Sequence, residues 1–170
     1  MPTETGMGSH GSNYLQYSEG FFMAVEASGG YSLNINRPNF GYAELDVVGG
    51  YRFSEYLRAG IGLGGRYYAN NVDARNTSSR WGLPLFLNLR GNFIPGEYRD
   101  VVPFWSADIG TTFPDGVMFR PSIGIRVGQE RSAFILSVGY LGQSIRTYGN
   151  GEHADHPFYS FITMKLGYEF

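Results

Sequence analysis

The stretch Ser160-Phe161-Ile162-Thr163-Met164-Lys165-Leu166-Gly167-Tyr168-Glu169-Phe170 alternates without a slip. Ile162, Met164, Leu166, Tyr168 and Phe170 fall on one side; Phe161, Thr163, Lys165, Gly167 and Glu169 fall on the other. Side chains of a strand point alternately to its two faces, so this is a β-strand with one apolar and one mostly polar face. Its final residue is aromatic. The frayed end of a soluble domain would leave that ring in water. A strand closing a barrel in a bilayer would seat it in the aromatic girdle at the membrane surface.

Working back from this stretch, the same period of two recurs along the chain. Strands are expected at about Phe21–Asn36, Phe40–Phe53, Tyr56–Tyr68, Trp81–Ile94, Val102–Phe113, Val117–Gly128 and Ala133–Arg146. Turn signals separate them: Arg37-Pro38-Asn39, Ser54-Glu55, Pro95-Gly96, Pro114-Asp115-Gly116 and residues 129–132. Two long polar loops, Ala69–Arg80 and Thr147–His156, lie at the end of the array opposite the termini. Pro84 has no N–H to donate to a ladder, and a bulge there would reconcile it with a paired strand. The eight segments run roughly 10–15 residues each, longer than the five or six usual in globular sheets and long enough to cross a bilayer.

Composition agrees. A chain of 170 residues is one domain's worth, and 25 Gly, 13 Tyr and 13 Phe suit an all-β architecture with aromatic belts. With no Cys there is neither a disulfide framework nor a thiolate metal site. The net charge of −2 gives no case for a nucleic-acid partner. No apolar run approaches the roughly 20 residues of a membrane helix. Residues 1–19 are polar, lack an apolar signal-peptide core, and contain Ser9-His10-Gly11-Ser12, which resembles an expression-vector scar. They are expected to be disordered or tag-derived, with the barrel domain occupying 20–170.

The charges indicate which face is inside. Glu26, Glu44, Asp46, Arg52, Arg58, Arg66, Arg90, Asp108, Arg120, Arg126, Lys165 and Glu169 all fall on the polar face, interspersed with glycine. Both signs are present and Arg dominates the cations, as an enclosed lumen of paired charges would require. The apolar face carries no charge, and its aromatics gather towards the strand ends. Tyr51, Phe53, Phe93 and Trp105 fall towards one rim with Tyr168 and Phe170. Tyr31, Tyr67, Trp81, Phe113, Phe119 and Tyr140 fall towards the other. The alternative is a soluble lipocalin-like ligand-binding barrel with its apolar face turned inward.

The ending Gly167-Tyr168-Glu169-Phe170 resembles the C-terminal insertion signal of Gram-negative outer-membrane β-barrel proteins, with Gly167, Tyr168 and Phe170 at the matching positions. From Phe21 to Phe170 the chain is similar to small eight-stranded barrels of the OmpA-barrel, opacity-protein and OmpW-type families. Gly50-Tyr51-Arg52-Phe53, Gly82-Leu83-Pro84-Leu85 and Pro121-Ser122-Ile123-Gly124 resemble segments of PorT-like barrels from Bacteroidetes. The barrel is expected to stand without the peptidoglycan-binding domain of full-length OmpA-type proteins. The resemblance implies an eight-stranded antiparallel up-and-down transmembrane barrel in a bacterial outer membrane. It also implies contact with membrane lipids including lipopolysaccharide, and with the outer-membrane assembly machinery during insertion. Membership of an envelope protein complex fits the same reading.

The reading is non-enzymatic, with a structural, adhesive or complex-accessory role exercised through the outside loops, and with no cofactor. A lipid A-modifying enzyme is the other class, since some barrels of this size are such enzymes. His153, Asp155, His156 and Ser160 supply the residue types of a hydrolase, and the two His with Asp155 those of a metal site. No family motif aligns with them, and a solvated loop accounts for them. The lumen charges leave two readings, a porin-like path for small ions or a salt-bridged plug. Gly60, Gly62, Gly64 and Gly65 lack the helix and the Lys-Ser/Thr ending of a phosphate loop.

Overall fold

The computed structural model describes residues 19–35, 39–69, 80–96, 99–129, 131–145, 147–148, 154–155 and 157–170. The reading of 1–18 as disordered or tag-derived lies outside these residues, as does most of the loop expected at 69–80. Eight long strands form the wall. They are β1 (Gly20–Ser32), β2 (Gly41–Ser54), β3 (Leu57–Ala69), β4 (Trp81–Asn92), β5 (Val101–Phe113), β6 (Gly116–Gln129), β7 (Ser132–Ser144) and β10 (Phe158–Glu169). Between β7 and β10, where the sequence indicates only loop, β8 (Thr147–Tyr148) and β9 (Ala154–Asp155) pair as a separate short ladder. Each long strand is antiparallel to its neighbours, and β1 meets β10 to close the barrel.

Register is kept with little slippage. From Ala24↔Glu169 to Ser32↔Phe161 the closing seam runs without a shift. Two backbone bonds of 2.9 Å, Met23 N–H to Phe170 C=O and Phe170 N–H to Met23 C=O, extend it to the last residue. The ladder shifts once, between Arg52 and Ser54 where β2 turns into β3. No residue is inserted at Pro84. The β3–β4 pairing instead breaks between Leu63↔Leu85 and Arg66↔Gly82 and resumes in the same register, so the missing N–H is met by a gap rather than the expected bulge. A similar gap flanks Pro121, between Phe119↔Gly142 and Ser122↔Gly139.

The two faces are sorted as the alternation indicates. Leu45, Ile61, Leu63, Leu87, Ile123, Met164 and Leu166 lie outside and are exposed, while the twelve charged residues of the polar face are buried inside. An inward apolar face, which a lipocalin-like barrel requires, is therefore not what this chain builds. At about 3.3 Å per residue, strands of 12–14 residues tilted by about 40° give a wall roughly 30 Å tall. That matches the roughly 25 Å apolar band of outer-membrane barrels.

The lumen holds an apolar filling beside the polar one. Phe40, Tyr42, Tyr68, Met118, Leu141, Tyr159 and Phe161 cluster at the end opposite the termini, with Phe40 edge-on to Tyr68, Tyr159 and Phe161. Eight strands leave a bore only wide enough for side chains, so bulky groups need glycine across from them. Gly62 faces the Phe86 ring and Gly64 faces the Asp46 carboxylate, each so closely that a Cβ would collide with it. We expect Gly62→Val to destabilise the barrel by about 1–3 kcal/mol through overpacking against Phe86. A urea midpoint lower than wild type, partly restored by adding Phe86→Leu, would show it.

Candidate functional site: the charged lumen

Antiparallel pairing brings the inward residues of all eight strands to one axis. Near mid-barrel, Glu26 (β1) meets Arg90 (β4) at 2.8 Å and Lys165 (β10) at 2.9 Å. Lys165 also reaches Asp108 (β5) at 3.1 Å. Arg120 (β6) is the hub. Its Nε donates to Asp108 at 2.8 Å, its Nη2 to Asp46 at 2.9 Å, and its Nη1 to Glu44. Arg66 (β3) donates to Glu44 and, at 2.7 Å, to Gln143 of β7. At the end that holds both described chain ends, Glu169 accepts from Arg52 at 2.9 Å and Arg58 at 2.7 Å, with Arg126 at 3.3 Å. Arg90 at 3.6 Å from Glu169 joins this cluster to the rest.

The structure thus brings all twelve charged residues of the polar face into one connected network. The sequence reading did not assign the neutral members that complete it. Asn88 donates to Asp108 and to Ser106 (3.1 Å) and accepts from Arg90 Nε at 2.6 Å, and Asn92 accepts from Arg58 at 2.5 Å. Thr112 donates to Gln143 at 3.0 Å, and Tyr68 to Asp115 at 2.9 Å. Three arginines also stack on lumen aromatics: Arg66 on Tyr42 at 5.0 Å, Arg90 on Phe22 at 5.5 Å and Arg120 on Phe86 at 5.2 Å. The signal was present, since these aromatics and amides share the alternate face of the charges. Which charges would pair was not legible, because the oppositely charged partners lie 12 to 117 residues apart.

The girdle residues lie on the outer wall, where Phe21 packs edge-on to Tyr51 and Tyr51 to Phe53. Tyr67 lies against Trp81, and Tyr168 against Phe134 and Phe170. Phe93, Phe113, Phe119, Tyr31 and Tyr140 are exposed on the same wall, and Trp105 is half-buried on it. Phe21, Phe134 and Phe158 join them, although the sequence reading did not include them.

The hydrolase and metal candidates do not assemble among the described residues. His153 and His156 lie outside them, and Asp155 enters only through its backbone pairing with Thr147. Ser160 points outward, its hydroxyl 2.8 Å from that of Tyr140. Among the described residues no three His, Cys, Asp or Glu side chains converge as a metal site.

What the network does physically is fill the bore with charge that balances itself. A buried ion pair adds little beyond a well-packed apolar pair, but removing one partner strands the other and costs about 3–5 kcal/mol. Arg120→Met would strand Asp46 and parts of Glu44 and Asp108. A loss of about 3–5 kcal/mol in reversible urea unfolding is expected, against less than 1 kcal/mol for the rim change Tyr140→Phe.

No family model matches the chain, and no curated protein matches it in sequence. Solved structures do. The crystal structure of Neisserial surface protein A is similar over 88% of this chain and 97% of its own, with a TM-score of 0.53 and 12% identity. The solid-state NMR structure of outer membrane protein AlkL in lipid bilayers covers 100% of this chain and 96% of its own, with a TM-score of 0.53 and 15% identity. The crystal structure of outer membrane protein OprG from Pseudomonas aeruginosa covers 90% and 97%, with a TM-score of 0.51 and 12% identity. What this chain shares with them is the closed eight-stranded antiparallel barrel.

Proposed function

We propose that the chain is an integral β-barrel of a bacterial outer membrane, non-enzymatic, acting as an anchored scaffold that presents its outside loops to other molecules. The observation that carries this reading is the inverted polarity of the wall. The charges of the eight long strands all lie in the lumen, and the strands present leucine, isoleucine, valine and methionine outward between two aromatic rims. In water such an exterior is a single apolar surface far larger than soluble monomers expose. In lipid it is matched, and closure of the barrel leaves no free strand edge facing the hydrocarbon among the described strands. The outer-membrane proteins AlkL and OprG, which share the fold, support the same placement.

Within that reading the lumen network acts as a plug, because charges already bonded to one another across a filled bore offer no continuous water path. Lipids including lipopolysaccharide face the wall. Gly167, Tyr168 and Phe170 serve the assembly machinery as the terminal signal, and the loops at 69–80 and 147–156 are the surfaces for adhesion or for an envelope complex.

Detergent dependence tests the proposal. The protein should stay monodisperse only with detergent and should change mobility on a denaturing gel when boiled; a monodisperse protein without detergent would overturn it. Leu87→Arg, near mid-strand on the outer face, should cost about 2–4 kcal/mol and block insertion into vesicles. Normal insertion of that variant would show that the outer wall does not meet lipid. Deleting Phe170 should slow assembly in cells, measured by the appearance of the unboiled fast-migrating form.

A further inference from the structure

We infer that the lumen wall between β6 and β7 carries a site for a resident water, formed by Ser122, Gly124, Ser137 and Gly139, and that this water bridges the two serine hydroxyls and joins them to Lys165. The register sets the four residues as a square. Ser122 pairs with Gly139 and Gly124 with Ser137, so each serine has a glycine directly across from it and the other serine on the diagonal. A Cβ on either glycine would collide with the backbone of the facing strand, at the Leu136 carbonyl for Gly124 and at the Pro121 carbonyl for Gly139. Neither position can therefore carry a side chain that would give the serines a partner. The β6–β7 ladder is also interrupted next to Ser122, where Pro121 has no N–H to give the facing strand.

The hydroxyls supply the second observation. Ser122 and Ser137 lie on the lumen face and are only 7% and 2% exposed. Among the described residues neither Oγ has a hydrogen-bond partner. Other lumen hydroxyls are served: Ser32 donates to Asn39, Ser106 accepts from Asn88, Thr112 donates to Gln143, and Ser28 accepts from Arg120 at 3.4 Å. The spare atoms on Glu26, Asp46 and Arg90 belong to groups that ion pairs already hold. A serine has one polar side-chain atom and no second. Leaving a buried hydroxyl unbonded costs its full desolvation, and protein interiors meet such groups with water. Lys165 stands directly opposite Ser137 and makes ion pairs with Glu26 and Asp108, two partners for an ammonium with three donors. A water accepting from Lys165 and bonded to both hydroxyls has three partners, the usual number for a buried water. A neutral ligand fits here because two carboxylates already meet the Lys165 charge. Leu141 and Phe161 close the site towards the far end and Ile135 towards the terminal end, all fully buried, so the water is enclosed.

The outer-wall polarity plays no part in this inference, so its failure would leave the membrane placement untouched. The test uses the whole protein in detergent micelles and compares the urea midpoints of wild type, Ser122→Ala, Ser137→Ala and the double variant. The heat-dependent gel shift of each variant establishes that it is folded. With a bridging water, each single change lowers the midpoint. The double variant then lies no lower than the worse single one, because the second hydroxyl has already lost its bridge. Hydroxyls without water give the opposite sign, since each alanine removes an unmet polar group and raises the midpoint. A direct reading comes from magnetic cross-relaxation between water and the amide protons of Gly124 and Gly139. It should carry the sign of a long-lived bound water in wild type and vanish in the double variant. Raised midpoints in the single variants, losses that simply add in the double variant, or no such cross-relaxation in wild type would each overturn the site.

Discussion

Closure is the constraint on which the rest of the structure depends. A sheet with open edges exposes a row of unpaired amides and carbonyls, which water tolerates and hydrocarbon does not. Here the first long strand pairs with the last, and the seam continues through reciprocal bonds between Met23 and Phe170. Once the ring is closed, inside and outside are defined for every residue, because alternation sends each second side chain into a bore of fixed width. The charges then have nowhere else to go.

That bore sets the terms for what fills it. Glycine appears across from bulk, as at Gly62 opposite Phe86 and Gly64 opposite Asp46. Arginine appears where several carboxylates must be served from one place, since its planar fork carries donors in three directions. Arg120 uses Nε, Nη1 and Nη2 for three carboxylates from two other strands while its face rests on Phe86. Lysine at that position would have one nitrogen to share. The network joins all eight strands across the axis, a set of cross-links that no strand-to-neighbour ladder provides. Its value lies more in the cost of breaking it than in any net gain over an apolar filling.

The two ends of the lumen differ in kind. The end away from the termini is stopped by an aromatic cluster around Phe40, Tyr159 and Phe161, and the terminal end by arginines around Glu169. The last strand serves both sides of the wall at this rim. Tyr168 stands outside against Phe134 and Phe170, and Glu169, next to it in sequence, turns in to hold Arg52 and Arg58. A terminal aromatic and an interior ion cluster thus occupy adjacent positions of one strand because alternation gives each residue a different medium.

The sequence by itself determined the strands, the sorting of their faces and the identity of the charged residues inside. All of these follow from local alternation, which needs no knowledge of partners. It also indicated closure through eight long segments with turns at regular spacing. It did not reveal the two-residue ladder of β8 and β9, which lacks an alternating pattern long enough to register. It suggested a bulge at Pro84, where the structure has a gap in an unshifted register. Only the tertiary structure decided which charges pair. Register and strand tilt place Glu169 beside Arg52 and Arg58, and Arg120 beside Asp108, Asp46 and Glu44, and neither is written in the spacing along the chain. The same geometry decided that these charges meet in one network across the axis, a property of positions in space that a count of residues does not contain.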